Sequence, residues 1–214
     1  MARTPGWPAH PCAGPVELRA PRLRDARGWS EVRLRNEAWL TPWEPTSSHA
    51  WDERNAVSAW PTLHSSLKAA ARRGIMLPFM VDYGGRLVGQ VNVSNVVHGA
   101  LRSCTIGYWV DSAVAGRNIT PTAVALVMDH CFQHVGMHRI EIDIRPENKA
   151  SLRVVEKLGL RREGYYERFL DIDGAWRDHA AFALTVEELR GATMLSRLDR
   201  LPPVPTWRAV RGGG

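Results

Sequence analysis

Residues 104–132, CTIGYWVDSAVAGRNITPTAVALVMDHCF, decide the fold. An apolar run over Cys104–Val110 predicts a strand, and a second run over Ala123–Phe132 predicts a helix. Between them lies a polar loop, Ala115–Pro121, in which Thr120 is placed to cap the helix. A strand, a glycine-containing loop and a helix N-terminus present backbone N–H groups to a phosphate. The stretch therefore predicts a pyrophosphate-binding loop.

The composition indicates a globular protein. The 214 residues are 44% hydrophobic and 23% charged, and this length favours one domain. No apolar run approaches the roughly 20 residues that span a bilayer, and the first residues lack the apolar core of a signal peptide. We therefore expect a cytoplasmic protein without membrane contact. The three cysteines, Cys12, Cys104 and Cys131, are too few and too widely spaced for a disulfide framework or a zinc site.

The net charge of +6 raises the question of an anionic partner. Arginines are scattered over both ends of the chain, and no basic block alternates with aromatic residues, so direct nucleic-acid binding is not expected. A basic surface suits an anionic cofactor or a ribosomal partner.

Hydrophobic periodicity predicts the order β-α-α-β-β-β-α-β-α-β-β. This order is typical of an α+β domain with a mixed, mostly antiparallel central sheet and helices on both faces. Asp25 is expected to cap the first helix, which should run to about Ala38. Asn148 should cap a late helix that ends at Gly159, and the turn Asp173–Gly174 should close the last hairpin.

Composition also divides the chain into three parts. We expect residues 1–15 to be a disordered, Pro- and Gly-rich extension, residues 16–188 to form the folded domain, and residues 189–214 to be a Pro/Gly-containing tail.

Four stretches together resemble one family. They are NVSNVVHG at 92–99, Gly107–Tyr108, RPENKAS at 145–151 and DIDGAWRDH at 171–179. Over residues 16–188 the chain is similar to the GNAT superfamily of N-acetyltransferases, and within it to the RimJ/RimL type. The resemblance implies a single GNAT-like domain, acetyl-CoA as the donor, no metal, and the N-terminal amine of a ribosomal protein as the acceptor.

In this family the predicted loop would hold the CoA pyrophosphate. The usual loop has a polar residue, a glycine, and a glycine or alanine where this chain has Ala115, Asn118 and Thr120. We therefore expect a weaker or differently shaped loop, with charge supplied by Arg117. The predicted cofactor contacts come from the strand end, the loop and a helix start. They are Tyr108, Trp109, Val110, Ala115, Gly116, Arg117, Asn118, Ile119, Thr120, Asn148 and Ser151.

Direct acetyl transfer to an amine through a tetrahedral intermediate needs a neutral amine and a proton for the leaving thiolate. The resemblance implies Ser151 as the acid. The glutamate that serves as a proposed base in RimL-like enzymes is Leu170 here, so that role is not carried over. Glu44, in the stretch Trp43-Glu44-Pro45, is the leading substitute, and Asp171 is another candidate. Each carboxylate could instead be solvated or paired with a cation.

Two further patterns have more than one interpretation. His130, His134 and His138 recur every fourth residue, but no carboxylate completes a metal motif, so a helix surface or C-terminal dipole contact is favoured. The tryptophans of residues 39–60 either line an acceptor cleft or pack helices onto the sheet.

Two alternative functions remain open from the sequence. One is acetylation of a small amine such as a polyamine or an antibiotic. The other is a non-catalytic CoA-binding role in ribosome assembly. The sequence is compatible with either a monomer or a dimer.

Overall fold

A computed structural model describes residues 5–205, and its centre is an eight-stranded sheet in the order β1-β2-β3-β4-β5-β6-β8-β7. Neighbouring strands are antiparallel, except that β5 and β6 are parallel. The strands are β1 Cys12–Ala13, β2 Val16–Arg19, β3 Leu77–Tyr83, β4 Arg86–Val97, β5 Ser103–Val110, β6 Arg139–Ile144, β7 Arg161–Ile172 and β8 Ala175–Thr185.

Helices cover both faces of this sheet. They are α1 Ala26–Arg35, α2 Glu37–Leu40, α3 Trp51–Asn55, α4 Trp60–Arg72, α5 Ile119–His130 and α6 Lys149–Leu158. Alternate side chains of a strand point to opposite faces. Phe79 of β3 accordingly packs in the core under α5 and α6, while its neighbour Met80 packs with Trp29 and Trp60 of α1 and α4. The predicted α+β architecture, a mixed sheet with helices on both faces, is confirmed.

Several local predictions are also confirmed. The carboxamide oxygen of Asn148 accepts a hydrogen bond from the N–H of Ser151 at 3.0 Å and so caps α6. Gly159 ends that helix with φ of 67°, a left-handed conformation that glycine adopts without strain. Asp173 and Gly174 turn between β7 and β8. Within residues 5–205, no helix is long and apolar enough to cross a membrane.

The predicted disorder of residues 1–15 is wrong for residues 5–15. Cys12 and Ala13 pair with β2, and the Trp7 ring meets the Phe79 ring edge-on at 5.0 Å. Composition suggested disorder, but a tryptophan that finds an apolar partner in the core orders the segment around it. Residues 1–4 lie outside the described part of the chain.

Two predicted caps are corrected. Asp25 precedes α1 without capping it, because its carboxylate accepts hydrogen bonds from the buried Arg19 guanidinium at 2.8 and 3.0 Å. This helix ends at Arg35, earlier than expected. Helix α5 begins at Ile119, and Asn118 precedes it with φ of 63°, so Thr120 lies inside the first turn. Asparagine tolerates this left-handed conformation better than most residues do.

The segment after β8 folds back over α5. The Asp129 carboxylate accepts hydrogen bonds from the N–H groups of Met194 and Leu195 at 2.6 and 3.1 Å, and Met194 is fully buried. Further along, the Pro203 carbonyl accepts a hydrogen bond from Tyr83. The last part of the predicted tail, residues 206–214, lies outside the described residues.

Strands β5 and β6 separate after a short paired stretch. Ser103–Thr105 pair with Arg139–Glu141, and the remainder of β5 has no partner on that side. The gap opens toward the predicted loop and toward the start of α6, and the candidate site lies there.

Candidate functional site

The gap between β5 and β6 is the floor of a cleft, here called the central cleft, of about 330 Å³. Of the residues predicted from the sequence, the central cleft is lined by Glu44, Tyr108, Trp109, Val110, Thr120, Asn148 and Ser151. The fold thus brings together the strand end, the start of α6 and the Trp43-Glu44-Pro45 segment, which are far apart in the sequence.

The predicted loop forms a second hollow, the loop cleft, which continues from the central cleft. Both are lined by Val110, Thr120 and Ala150. The loop cleft adds Ala115, Gly116, Asn118 and Ile119 of the predicted set. Arg117 is exposed and lines neither cleft, so it is the one predicted residue that the described structure does not bring to them.

The backbone of this loop is suited to an anion. The first N–H groups of a helix have no acceptor within the helix, and those of α5 begin at Ile119. Gly116 has φ of 79°, and a Cβ placed on it would meet nothing within 4 Å, so the backbone can be approached closely. The loop therefore offers a site for a phosphate despite its unusual sequence.

The end of β5 presents backbone N–H groups to the gap. The N–H of Asp111 donates to the Val88 carbonyl of β4 at 2.7 Å. Backbone groups alternate in direction along a strand, so those of Tyr108 and Val110 point away from β4 and into the gap. The Val110 carbonyl there accepts a hydrogen bond from the Trp39 indole at 3.1 Å.

Ser151 is half-buried at the other wall of the central cleft. The Tyr108 hydroxyl lies 3.5 Å from the Ser151 carbonyl oxygen and donates to it. Burial raises the pKa of Tyr108 and outweighs a lowering by the Ser151 side chain, so the phenol stays protonated near neutral pH.

Glu44 is the carboxylate at the outer end of the central cleft. Its Oε1 accepts a hydrogen bond from the Arg33 guanidinium at 2.7 Å. Arg33 is buried; it also donates to Asn55 at 2.9 Å, and it lies 4.6 Å from the ring centroid of Trp51 and 5.2 Å from that of Trp109. Glu44 is therefore a carboxylate paired with a cation, rather than the solvated carboxylate that the sequence also allowed.

Glu44 also lines a hollow on the far side, here called the outer groove. Thr41, Ser47, Trp51 and Asp173 are among its other lining residues. The outer groove opens to solvent, and Glu44 separates it from the central cleft.

The segment that carries Glu44 is tied to the hairpin of β7 and β8. Thr46 donates from its N–H to the Asp171 carbonyl at 3.0 Å and from its hydroxyl to the Asp171 carboxylate at 2.5 Å. The N–H of Gly174 returns a bond to the Thr46 hydroxyl at 2.8 Å. Asp171, the second base candidate, thus holds the segment in place and lines neither the central cleft nor the outer groove.

Sequence reasoning missed a buried polar network behind the cleft. The Asn36 amide donates to the Asp111 carboxylate at 2.9 Å, and its oxygen accepts from the N–H of Ser112 at 3.0 Å. Burial acts to raise the pKa of Asp111, but hydrogen bonds from Arg35, Asn36 and Ala113 outweigh it and lower that pKa. The available signal for this network was a pair of polar residues, Arg33 and Asn36, which are three residues apart at the end of α1 and share an otherwise core-facing surface.

At its other end the loop cleft leads to a third hollow, the far pocket. Asn118 and Lys157 line both, and the Lys157 ammonium donates to the Asn118 carboxamide at 2.5 Å. The C-terminal segment supplies the rest of the far pocket through Arg197, Leu198, Asp199 and Arg200. The hollows thus form one track from the outer groove at Glu44 to the far pocket.

The histidine and tryptophan patterns resolve position by position. His130 is buried beside Phe79, with its ring 5.2 Å from that of His134, and burial lowers its pKa. Over residues 5–205, no group of His, Cys, Asp or Glu side chains is placed to hold a metal ion. Trp60 packs in the core, as one interpretation of the tryptophans expected, whereas Trp39 and Trp43 line the central cleft.

Comparison with known proteins gives consistent results. Residues 16–161 match the family model described as "Acetyltransferase (GNAT) domain". The chain is 30% identical over 169 residues to the [Ribosomal protein uS5]-alanine N-acetyltransferase of Escherichia coli (strain K12), covering 77% of this chain and 84% of that protein. It is 40% identical over 99 residues to the probable N-acetyltransferase YjcK of Bacillus subtilis (strain 168), a match that spans 46% of this chain and only 55% of that protein.

Among solved structures, Mycobacterium smegmatis RimJ in complex with CoA-disulfide superimposes with a TM-score of 0.87 at 47% identity, covering 90% of this chain and 94% of that chain.

Proposed function

The chain belongs to the GNAT acetyltransferase family, and from this premise we propose that it transfers the acetyl group of acetyl-CoA to the N-terminal α-amine of a ribosomal protein. Membership makes it an acyltransferase. Two similar proteins support the finer assignment, since one is named for acetylating ribosomal protein uS5 and the other is a RimJ bound to a form of CoA.

One observation carries the proposal. A single track runs from an anion-binding loop, past free backbone N–H groups on a splayed strand, to a carboxylate at an open groove. Residues 116–120 and α5 fit the pyrophosphate, and the gap beside Tyr108 and Val110 fits the chain that leads to the thioester. Acetyl-CoA, when bound, supplies the activated acetyl group.

The chain's own residues have distinct roles in this proposal. The N–H groups of Tyr108 and Val110 point into the gap, where they would stabilise negative charge on the acetyl oxygen without reorganisation. Asn148 holds the first turn of α6, and Ser151 gives a proton to the leaving thiolate.

The assignment of the base to Glu44 remains a prediction from the sequence. If Glu44 takes the proton of the amine, Glu44→Gln lowers turnover by about 100-fold or more and changes the acidic limb of the pH–rate profile. An unchanged profile would exclude that role.

The experiment is a thiol-release assay with acetyl-CoA and a panel of acceptors. We expect turnover with peptides that begin with a free α-amine, such as N-terminal alanine peptides of ribosomal proteins. The matched control is the same peptide with its N-terminus blocked and a lysine retained. Turnover with polyamines alone would indicate a small-amine enzyme, and CoA binding without any turnover would indicate a non-catalytic protein.

The α-amine preference has a physical basis. An α-amine has a pKa of about 7.7–8.0, against about 10.4 for lysine. At pH 7 the neutral form therefore costs about 1 kcal/mol for the α-amine and about 4–5 kcal/mol for lysine.

A further inference from the structure

Trp39 of α2 lies where the central cleft and the loop cleft meet. Within residues 5–205, the residues that line both clefts are Trp39, Val110, Thr120, Ala150, Arg153 and Val154. They mark the passage between the two clefts, here called the junction. A molecule that extends from the loop cleft into the central cleft has to pass through the junction, beside Trp39.

The junction is mostly apolar. One part of its lining is Val110 of β5 and the Trp39 indole. Another part comes from α6, where Ala150 and Val154 lie four residues apart and therefore on one face of the helix. Arg153, the charged residue among those that line the junction, is exposed to solvent. A mostly apolar lining with a few polar groups is typical of a site for a small organic ligand.

Trp39 is held beside the end of β5 at two points. Its indole N–H donates to the Val110 carbonyl at 3.1 Å, and its backbone N–H donates to the Asn36 carbonyl at 3.1 Å. The Asn36 amide in turn donates at 2.9 Å to the carboxylate of Asp111, the residue that follows β5. Asn36 and Asp111 are both buried. The indole is therefore fixed at the junction in advance, and little further ordering is needed when a ligand binds.

The protein itself covers the Trp39 side chain only in part. Trp39 is 39% exposed, whereas Trp60 is fully buried in the core. Its indole N–H uses one lone pair of the Val110 carbonyl oxygen, and that oxygen has a second. The exposed part of the ring is apolar surface that a ligand in the junction would cover.

We infer that Trp39 is a donor-binding residue, whose indole ring covers the pantetheine arm of acetyl-CoA at the junction. Acetyl-CoA as the donor is the part of the proposed function on which this inference rests, and the identity of the acceptor does not affect it. Trp39 thus belongs to the donor site and not to the acceptor side.

The chemistry of the pantetheine arm fits the junction. In CoA this arm joins the pyrophosphate to the sulfur. A donor with its pyrophosphate in the loop cleft and its thioester in the central cleft therefore has the arm at the junction. The arm carries two methyl groups on one carbon atom, which suit the apolar surfaces of Trp39 and Val154. It also carries amide N–H groups, which suit the second lone pair of the Val110 carbonyl.

Titration calorimetry with two ligands tests the role of Trp39. CoA carries the pantetheine arm, whereas adenosine 3′,5′-bisphosphate is the nucleotide part of CoA without that arm. We expect Trp39→Ala to weaken CoA binding by about tenfold and to keep the affinity for the bisphosphate within about twofold of wild type. Trp39→Phe keeps an aromatic ring and should weaken CoA binding by no more than about threefold.

Trp176→Ala is the matched control, because Trp176 is more exposed than Trp39 and lines neither of the two clefts. It should leave both affinities unchanged. An equal loss for both ligands in Trp39→Ala would show that the ring only supports the loop, and would overturn the inference. An unchanged CoA affinity would do the same, as would a Trp39→Phe affinity as low as that of Trp39→Ala.

Quenching of tryptophan fluorescence by acrylamide gives a second readout without turnover. Trp43 and Trp109 also line the central cleft, so the informative quantity is the difference between wild type and Trp39→Phe. CoA should protect the wild type from acrylamide more strongly than it protects Trp39→Phe, because the exposed part of Trp39 becomes covered. Equal protection of the two proteins would contradict a ring that contacts the donor.

These binding measurements also separate Trp39 from the choice of acceptor. A wild type that binds CoA and acetylates no α-amine would refute the proposed function, while the calorimetry would still decide the role of Trp39. A wild type that binds no CoA would refute both.

Discussion

The two ends of the track are built from different parts of the chain. At the loop, the anion site is made of backbone: a left-handed Gly116, a left-handed Asn118 and the first N–H groups of α5. At the acceptor end, the site is made of side chains: Glu44, the buried Arg33 that pairs with it, and the Trp51 and Trp109 rings against which Arg33 lies.

This difference explains how the loop Ala115–Pro121 can keep a backbone suited to an anion although its sequence is unusual. Backbone N–H groups are present whatever the side chain, so Ala115, Asn118 and Thr120 can replace the family's residues as long as the backbone path is kept. At the acceptor end each contact depends on one functional group. Substitutions should therefore be costly at the acceptor end and mild at the loop.

The largest effect is expected at Arg33. Arg33→Met removes the buried partner of Glu44 and Asn55 and leaves the half-buried Glu44 carboxylate and the buried Asn55 amide uncompensated, so we expect a loss of about 3 kcal/mol in the free energy of unfolding. Urea denaturation measures it. Glu31→Gln, which breaks an exposed pair with Arg35, should cost less than about 1 kcal/mol. Equal losses of unfolding free energy in Arg33→Met and Glu31→Gln would contradict the expected difference between a buried and an exposed ion pair.

Ser151→Ala comes next. Losing the proton donor to the thiolate should lower kcat by about 100-fold, while the affinity for acetyl-CoA stays the same because the N–H of residue 151 still bonds to Asn148. Single-turnover kinetics and calorimetry separate the two quantities. An equal fall in both would show that Ser151 positions the cofactor instead.

A smaller effect is expected at the far pocket, where Lys157, Arg197 and Arg200 meet. The position of this pocket beyond the loop suits the phosphomonoester of CoA. Wild type should therefore bind CoA about tenfold more tightly than dephospho-CoA, and Arg200→Gln should reduce that ratio to about twofold. Arg24→Gln, at an exposed arginine before α1, should leave it unchanged. Equal affinities of the wild type for CoA and dephospho-CoA would mean that the far pocket does not bind this phosphate.

The smallest effect is expected at Arg117. Its side chain is exposed, so Arg117→Gln should weaken CoA binding by no more than about threefold, and the loss should shrink in high salt. A tenfold loss in titration calorimetry would show that the loop relies on side-chain charge after all.

Periodicity and turn chemistry were sufficient for most of the fold. The alternation of Arg139–Ile144 predicted β6 without error, and the cap at Asn148 followed from local hydrogen bonding alone. The start of α5 was harder, because Asn118 and Thr120 both suit a helix start and only the loop path decides between them. The docking of Trp7 depends on a partner, Phe79, that lies far along the chain.

The acceptor end was the least predictable from sequence. The patterns of β5 and β6 predict two strands, but not that these strands separate after Thr105 and Glu141. Likewise, the sequence suggested Glu44 as the base, and that role stays a prediction, whereas its pairing with Arg33 depends on how α1 packs. Side chains that act through long-range neighbours leave little local signal.

Glu44 lies between the central cleft and the outer groove and lines both. This position has a consequence for the order in which two substrates can bind. Under the proposed function, the donor would enter along the splayed strands and the acceptor through the outer groove, so neither entrance would block the other. Both substrates would then be present together, and no acyl-enzyme would be needed. Initial rates measured against both substrates should accordingly give intersecting rather than parallel double-reciprocal lines.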